Sequence, residues 1–276
     1  DNHGDWRICT PTNVKHFSAV AYFFAREIHQ SEKVPIGILS INWGGTRIEP
    51  WINPAGFHRV PELKGLAHNT DRVNPQTDVG NKAYKQYIKD MKTWIINSEK
   101  SLAKNQALAE TPQEPTLGHS HQDPTYLYNA MIHPIVPLSI KGVIWYQGES
   151  NGGEGASYYH KMQALIKGWR KAFKQELLPF YYVQLANLGN SNANDPNGGD
   201  GWARLRQAQL DTLKLKNTGM AIATDIGEAN DIHPRNKQDV GKRLAYWALA
   251  KDYNKQDLVY SGPLFKNMTV KGNQAI

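Results

Sequence analysis

The sequence predicts an α/β domain built on a doubly wound parallel sheet, and three observations carry that reading. Short, nearly continuous apolar runs bounded by glycine or polar residues recur along the chain, the pattern of strands covered on both faces. Stretches with helical periodicity fill the gaps between those runs. The chain has 276 residues, enough for one large domain and too few for two comfortable ones.

Phe17, Val20, Ala21, Phe24 and Ile28 fall on one helical face, so a helix is expected from about Val14 to Gln30. The run from Pro35 to Asn42, ended by Gly44 and Gly45, reads as the first buried strand. From Trp51 to Asp78, frequent proline, glycine and asparagine predict mostly loop with a short helical turn. Tyr84, Tyr87, Ile88, Met91, Ile95 and Leu102 continue a helical stripe from about Asn81 to Ala109, closed by Pro112 and Pro115. Residues of about 51–125 therefore read as a helical insertion on the core. Buried strands follow at Gly142–Gln147, Phe180–Ala186 and Met220–Asp225, with helices near Tyr158–Lys174, Trp202–Leu215 and Lys237–Lys251. Asn187–Gly201, rich in asparagine and glycine, reads as a mobile loop after a strand. The domain is expected to occupy residues 1–262, with 263–276 opening a β-rich region.

Composition narrows the function classes. Apolar residues make up 40% and charged residues 21%, ordinary for a packed globular protein. No apolar run approaches the roughly 18 residues that cross a bilayer, and the first residues lack a signal-peptide pattern, so no membrane partner is expected. The formal charge is +7, but basic residues are spread along the chain, and Lys82, Lys85, Lys89, Lys92, Lys100 and Lys104 form the wet face of one helix, which argues against nucleic acid. The single cysteine, Cys9, is expected to be a buried, inert thiol.

Three polar clusters follow predicted strands: Trp43-Gly44-Gly45-Thr46, Gln147-Gly148-Glu149-Ser150-Asn151 and Asn230-Asp231-Ile232-His233-Pro234. A glycine pair lets backbone N–H groups approach a ligand, amide side chains can donate beside them, and a histidine near a carboxylate is a general base. Together they supply the parts of an acyl-transfer site. His119, Ser120, His121 and Asp123 have the composition of a metal site, but two histidines in a proline-rich loop without a third firm ligand are a weak pattern. Trp43, Trp51 and Trp145 either stack on a ligand or fill the core.

Four stretches in order resemble the sialate O-acetylesterases, a branch of the SGNH (GDSL-like) hydrolases: Ile38 through Thr46, Tyr128 through Pro134, Gly142 through Asn151, and Asp231 through Lys237 continuing to Gly241–Ala245. The resemblance runs from about Phe17 to the C-terminus. It implies a flavodoxin-like three-layer α/β/α sandwich and hydrolysis of acetyl esters on sugar hydroxyls, of sialic acid or another O-acetylated glycan, with no metal or cofactor. It also implies export, to a periplasm or the outside of the cell. By the same resemblance His233 would be the base, Gly45 N–H and an amide from Gln147 or Asn151 would hold the oxyanion, and Gly44, Thr46, Gly148 and Glu149 would line the site.

The chain departs from the family in two places. The family's nucleophile lies in a Gly-Gln-Ser-Asn-Met motif at the end of the first strand, which this sequence does not contain, so residues 1–262 are expected to be an SGNH-type domain lacking its first strand, with the serine supplied by a missing N-terminal segment or a second chain. SGNH enzymes usually place an aspartate three residues before the histidine, where this chain has Asn230; Asp231 is the preferred acid partner, with Asp225 and Glu149 as alternatives. Gly148-Glu149-Ser150-Asn151-Gly152 also matches a G-x-S-x-G elbow, which would make Ser150 the nucleophile of an α/β-hydrolase, but Gly152, Gly153 and Gly155 delay the helix that this motif demands. A non-catalytic carbohydrate-binding chain is the other alternative.

Overall fold

The computed structural model describes residues 4–190, 194 and 201–276. Most of the loop expected at Asn187–Gly201 lies outside the described residues. The protein is an α/β chain with a parallel sheet of three strands, β1 (Val143–Trp145), β2 (Phe180–Val183) and β3 (Thr218–Ala221), in the order β1-β2-β3. Phe180 N–H donates to Asn217 O at 3.0 Å and Gln184 N–H to Ala221 O at 2.8 Å, so the register advances in the same direction on both strands. A two-stranded antiparallel hairpin, β4 (Val270–Lys271) with β5 (Gln274–Ala275), lies near the end of the chain.

Among the described residues there are seven α-helices: α1 (Ala19–Glu32), α2 (Pro54–His58), α3 (Lys64–Arg72), α4 (Asp78–Ala103), α5 (Ser157–Ala172), α6 (Gly201–Asp211) and α7 (Lys237–Asp252). The chain divides into two compact units, the first Asp1–Arg7, Ile41–Phe180 and Asn190–Thr218, the second Ile8–Ser40, Tyr181–Gly189 and Gly219–Ile276.

In the first unit, α2 and α5 pack so closely that a Cβ on Gly56 would fall 2.3 Å from the Ala164 carbonyl oxygen, and one on Gly168 would fall 2.3 Å from Asn53 Oδ1. Asn53 sits at this contact: its Oδ1 caps α2 by accepting from Gly56 N–H at 2.8 Å, and its Nδ2 donates to Gly168 O at 2.9 Å. The core around them holds Ile48, Ile52, Phe57, Met162, Leu165 and Ile166, all fully or almost fully buried. In the second unit α1 crosses α7 at Gly241, where a Cβ would lie 2.7 Å from both Phe23 Cβ and Val20 O. Trp247 Nε1 donates to Met220 O at 3.0 Å and ties α7 to β3.

Four expectations need correction. The run Pro35–Asn42 is not a strand of either sheet: Leu39 is 39% exposed, so the run is not covered on both faces as its composition predicts. The stretch from Trp51 to Asp78 is largely helical rather than loop, because Asn53 with Pro54 starts α2 and Pro61 starts a 3₁₀ turn that leads into α3. Cys9 is exposed. The long helix α4 starts from the Thr77 cap, whose Oγ1 accepts from Gly80 N–H at 3.0 Å, and it stops at Ala103 rather than Ala109 because Asn105 turns left-handed, at φ +54°. Among the described residues no helix is long and apolar enough to cross a membrane.

Candidate active site

The glycine turn and the amide cluster are brought together in the first unit. Gly45 has φ +73°, a left-handed turn that favours glycine, and its carbonyl oxygen is pinned twice, by Gln122 Nε2 and by Ser150 Oγ, each at 3.0 Å. The next peptide is pinned on both sides: Gln147 Nε2 donates to Thr46 O at 3.0 Å, and Arg47 N–H donates to Gln122 Oε1 at 3.0 Å. Because a trans peptide holds its N–H opposite its carbonyl, fixing the Gly45 oxygen also fixes the direction of the Thr46 N–H. The Gly45 N–H itself makes no hydrogen bond among the described residues.

Asn151 is the centre of this arrangement and is only 1% exposed. Its Oδ1 accepts from Ile48 N–H and from Gln147 Nε2, both at 2.9 Å. Its Nδ2 donates to Glu49 Oε2 at 3.1 Å and to Glu154 Oε1 at 3.0 Å. Gln147 Oε1 accepts from the Tyr158 hydroxyl at 2.8 Å, and burial pushes that phenol far above its ordinary range. Both hydrogens of each amide therefore end on protein acceptors, and the two side chains act here as a clamp on the glycine turn.

Sequence reasoning missed the charges behind this clamp. Glu49 and Lys161 are 7% and 8% exposed, and Lys161 Nζ lies 2.5 Å from Glu49 Oε1 and also contacts Glu154. Arg47 completes the group through Glu49 Oε1 at 3.1 Å and Glu154. Burial opposes ionisation of Glu49, but the hydrogen bond and charge of Lys161, joined by Asn151, outweigh it and hold the carboxyl below its ordinary range. Burial likewise draws Lys161 below its ordinary value, with Glu49 opposing. The available signal was Glu49 itself, an acid among Ile48, Pro50, Trp51 and Ile52, which predicts a buried partner of opposite charge.

Gly148 takes φ +149°, a conformation for glycine, and leads into a 3₁₀ helix over Glu149–Glu154. Ser150 lies on that turn rather than at a strand-to-helix elbow, with its hydroxyl given to Gly45 O. Glu149 is partly buried, and burial together with its charge pushes the Tyr146 phenol up to about 12. Beneath the cluster, the rings of Trp51, Trp145, Trp169 and Phe180 meet edge to face or tilted at centroid distances of 5.9 to 6.4 Å. Trp51 is core, and its Nε1 donates to Thr46 Oγ1 at 3.0 Å. Trp43 is 50% exposed and stacks on His121 at 5.0 Å, which gives His121 an aromatic partner, while Asp123 Oδ2 accepts from Ser120 N–H at 2.9 Å.

His233 and Asp231 belong to the second unit. His233 is exposed beside the buried Pro234, and its backbone N–H donates to Asp231 Oδ1 at 2.8 Å. Glu228 Oε1 accepts from Arg235 N–H at 2.8 Å, so two carboxylates fix the backbone of the histidine loop. Asp225 is held by Arg243 through two bonds of 2.6 Å, and that guanidinium keeps its carboxyl below the ordinary range.

The amide cluster at the carboxyl end of β1, in a chain with a parallel sheet, marks an α/β protein of the kind that binds ligands where strands give way to loops. Residues 114–250 match the model of a carbohydrate esterase family, the sialic acid-specific acetylesterases. Sialate O-acetylesterase of Rattus norvegicus is 32% identical over 274 residues, covering 93% of this chain and 46% of the rat protein. The Mus musculus protein of the same name is 31% identical, covering 96% of this chain and 48% of its own. Among solved structures, a carbohydrate acetylesterase from Xanthomonas citri superimposes with a TM-score of 0.71 at 36% identity, over 99% of this chain and 50% of its own. This chain belongs to the sialate O-acetylesterase family. It spans about half the length of the curated relatives it matches.

Proposed function

We propose that this chain forms much of the catalytic domain of a carbohydrate O-acetylesterase with the three-layer SGNH-type sandwich, acting on acetyl esters of sugar hydroxyls. The observation that carries the reading is the clamped glycine turn: the peptide that follows Gly45 is fixed beside the Gln147–Asn151 cluster, and the Gly45 N–H, which makes no hydrogen bond among the described residues, is a donor for an oxyanion. The reaction runs through a serine acyl-enzyme whose serine lies outside residues 1–276. A serine hydroxyl attacks the acetyl carbonyl while His233 takes its proton; His233 then returns a proton to the departing sugar oxygen as the acetyl-serine forms. Water, deprotonated by His233, attacks that ester and releases acetate and the free serine. Asp231 orients the histidine loop, and Gly44, Thr46, Gly148 and Glu149 line the acyl site.

The names of the relatives and of the Xanthomonas citri enzyme support the substrate class, O-acetylated carbohydrate, and such substrates suit a secreted or periplasmic protein. Turnover of 4-nitrophenyl acetate and of an O-acetylated sialic acid by the full-length protein, lost in His233→Ala with the melting temperature preserved, is the expected result. Undiminished turnover by His233→Ala would remove the proposal.

A further inference from the structure

The clamp on the glycine turn is itself held from behind by one lysine. Lys161, Ala164 and Gly168 fall at i, i+3 and i+7 on α5 and so share a face. Ala164 and Gly168 meet α2 at the glycine contact, and Trp169 Nε1 donates to Trp51 O at 2.9 Å. The helix is thereby fixed against residues 51–56, and Lys161, nearer its start, reaches Glu49 and Glu154. One ammonium bridges two carboxylates, and those two carboxylates take both hydrogens of the Asn151 amide.

We propose that Lys161 is a positioning residue for the esterase reaction. By bridging Glu49 and Glu154 it sets the spacing of the two acceptors that hold Asn151, and through Asn151 and Gln147 it aims the peptide planes from Gly45 to Ile48. The role rests on the esterase reading above. A purely structural lysine would contribute only to folding. The geometry separates the two roles, because the cluster ends on backbone groups of the turn: Asn151 Oδ1 on Ile48 N–H and Gln147 Nε2 on Thr46 O. Without the ammonium, Glu49 and Glu154 face each other across one amide, with Arg47, a side chain 44% exposed, as their remaining cation in the group. The carboxylates separate or take up protons, and the amide loses its fixed orientation.

The test uses the full-length protein with Lys161→Met and the double variant Glu49→Gln/Lys161→Met, assayed where circular dichroism shows all forms folded. Loss of one oxyanion donor typically costs about 100- to 1,000-fold in kcat, so a misdirected donor is expected to cost about 10- to 100-fold. Lys161→Met should lower kcat for 4-nitrophenyl acetate by that factor with KM within about threefold. The double variant, which leaves no unpaired Glu49 charge, should regain most of the melting temperature but not kcat. Hydrogen exchange of the peptide spanning Trp43–Trp51 should be faster in both variants. Recovery of kcat together with melting temperature in the double variant, or unchanged exchange in Lys161→Met, overturns the positioning role. A wild-type protein that hydrolyses no acetyl ester overturns the reaction instead, a separate failure, because the exchange measurement still reports on the clamp.

Discussion

Asn151→Ala removes four hydrogen bonds at one buried point, and its cost follows from where those bonds end. Two run to the carboxylates Glu49 and Glu154, and bonds to charged groups are worth about 1.5–3 kcal/mol each. A third leaves the Ile48 N–H without its acceptor in a buried setting, at about 1–3 kcal/mol. The fourth frees a Gln147 hydrogen, which can turn elsewhere at little cost. The losses share partners and do not add fully, so the expected destabilisation is about 3–5 kcal/mol. At about 2–4 °C per kcal/mol for a chain of this size, the melting temperature should fall by about 10 °C in calorimetry. Asn151→Asp keeps the acceptor for Ile48 but sets a third carboxylate beside two others, which raises its folded pKa above the unfolded value. Its deficit should therefore be largest at neutral pH and shrink as pH falls through that raised value. A shift below about 2 °C for Asn151→Ala, or an Asp variant whose deficit does not shrink in acid, would refute the clamp as the source of rigidity.

Glu49 sits below its ordinary value of 4.5, so the stability it contributes is complete above the unfolded pKa and lost as pH falls through the folded one; Glu49→Gln should flatten the acid limb of the denaturation midpoint below about pH 4.5. Ser150→Ala should retain turnover within about tenfold, since it removes one of two bonds to Gly45 O; abolished turnover would return Ser150 to the role of nucleophile. Gly241→Ala forces a Cβ into Phe23 and Val20, and urea titration should show a net loss of about 1–2 kcal/mol after the gain in helix propensity. Trp43→Ala should raise KM for an O-acetylated sugar by about tenfold and leave 4-nitrophenyl acetate untouched, the signature of ring stacking on an exposed tryptophan.

The alternation of apolar runs and helical stripes located β1, β2, β3, α5, α6 and α7 to within a few residues, because β2 and β3 bury nearly every residue, the helices bury one side, and their composition records it. The same rule failed at Pro35–Asn42, where apolar composition predicts a strand covered on both faces, whereas the run forms no strand and leaves Leu39 39% exposed. Periodicity also missed α2 and α3. Both are short, and their starts are set by Asn53-Pro54 and Pro61, residues that read as breakers until one sees that proline at a first helical position begins a helix as readily as it ends one.

The site shows a different limit. Gly45 and Gly148 stand out in the sequence as glycines within polar clusters, and both adopt the positive φ that glycine alone takes readily. The part played by Gln147 and Asn151 was not legible, because an amide side chain donates equally well to a ligand or to a backbone carbonyl, and only coordinates show which acceptors it has taken. Lys161 was hidden for a related reason. A lysine on an amphipathic helix reads as solvated surface, and what brings this one inside is a carboxylate at Glu49, distant in sequence, that could not be buried alone. The two charges account for each other's burial, so replacing both together should disturb the fold less than replacing either one.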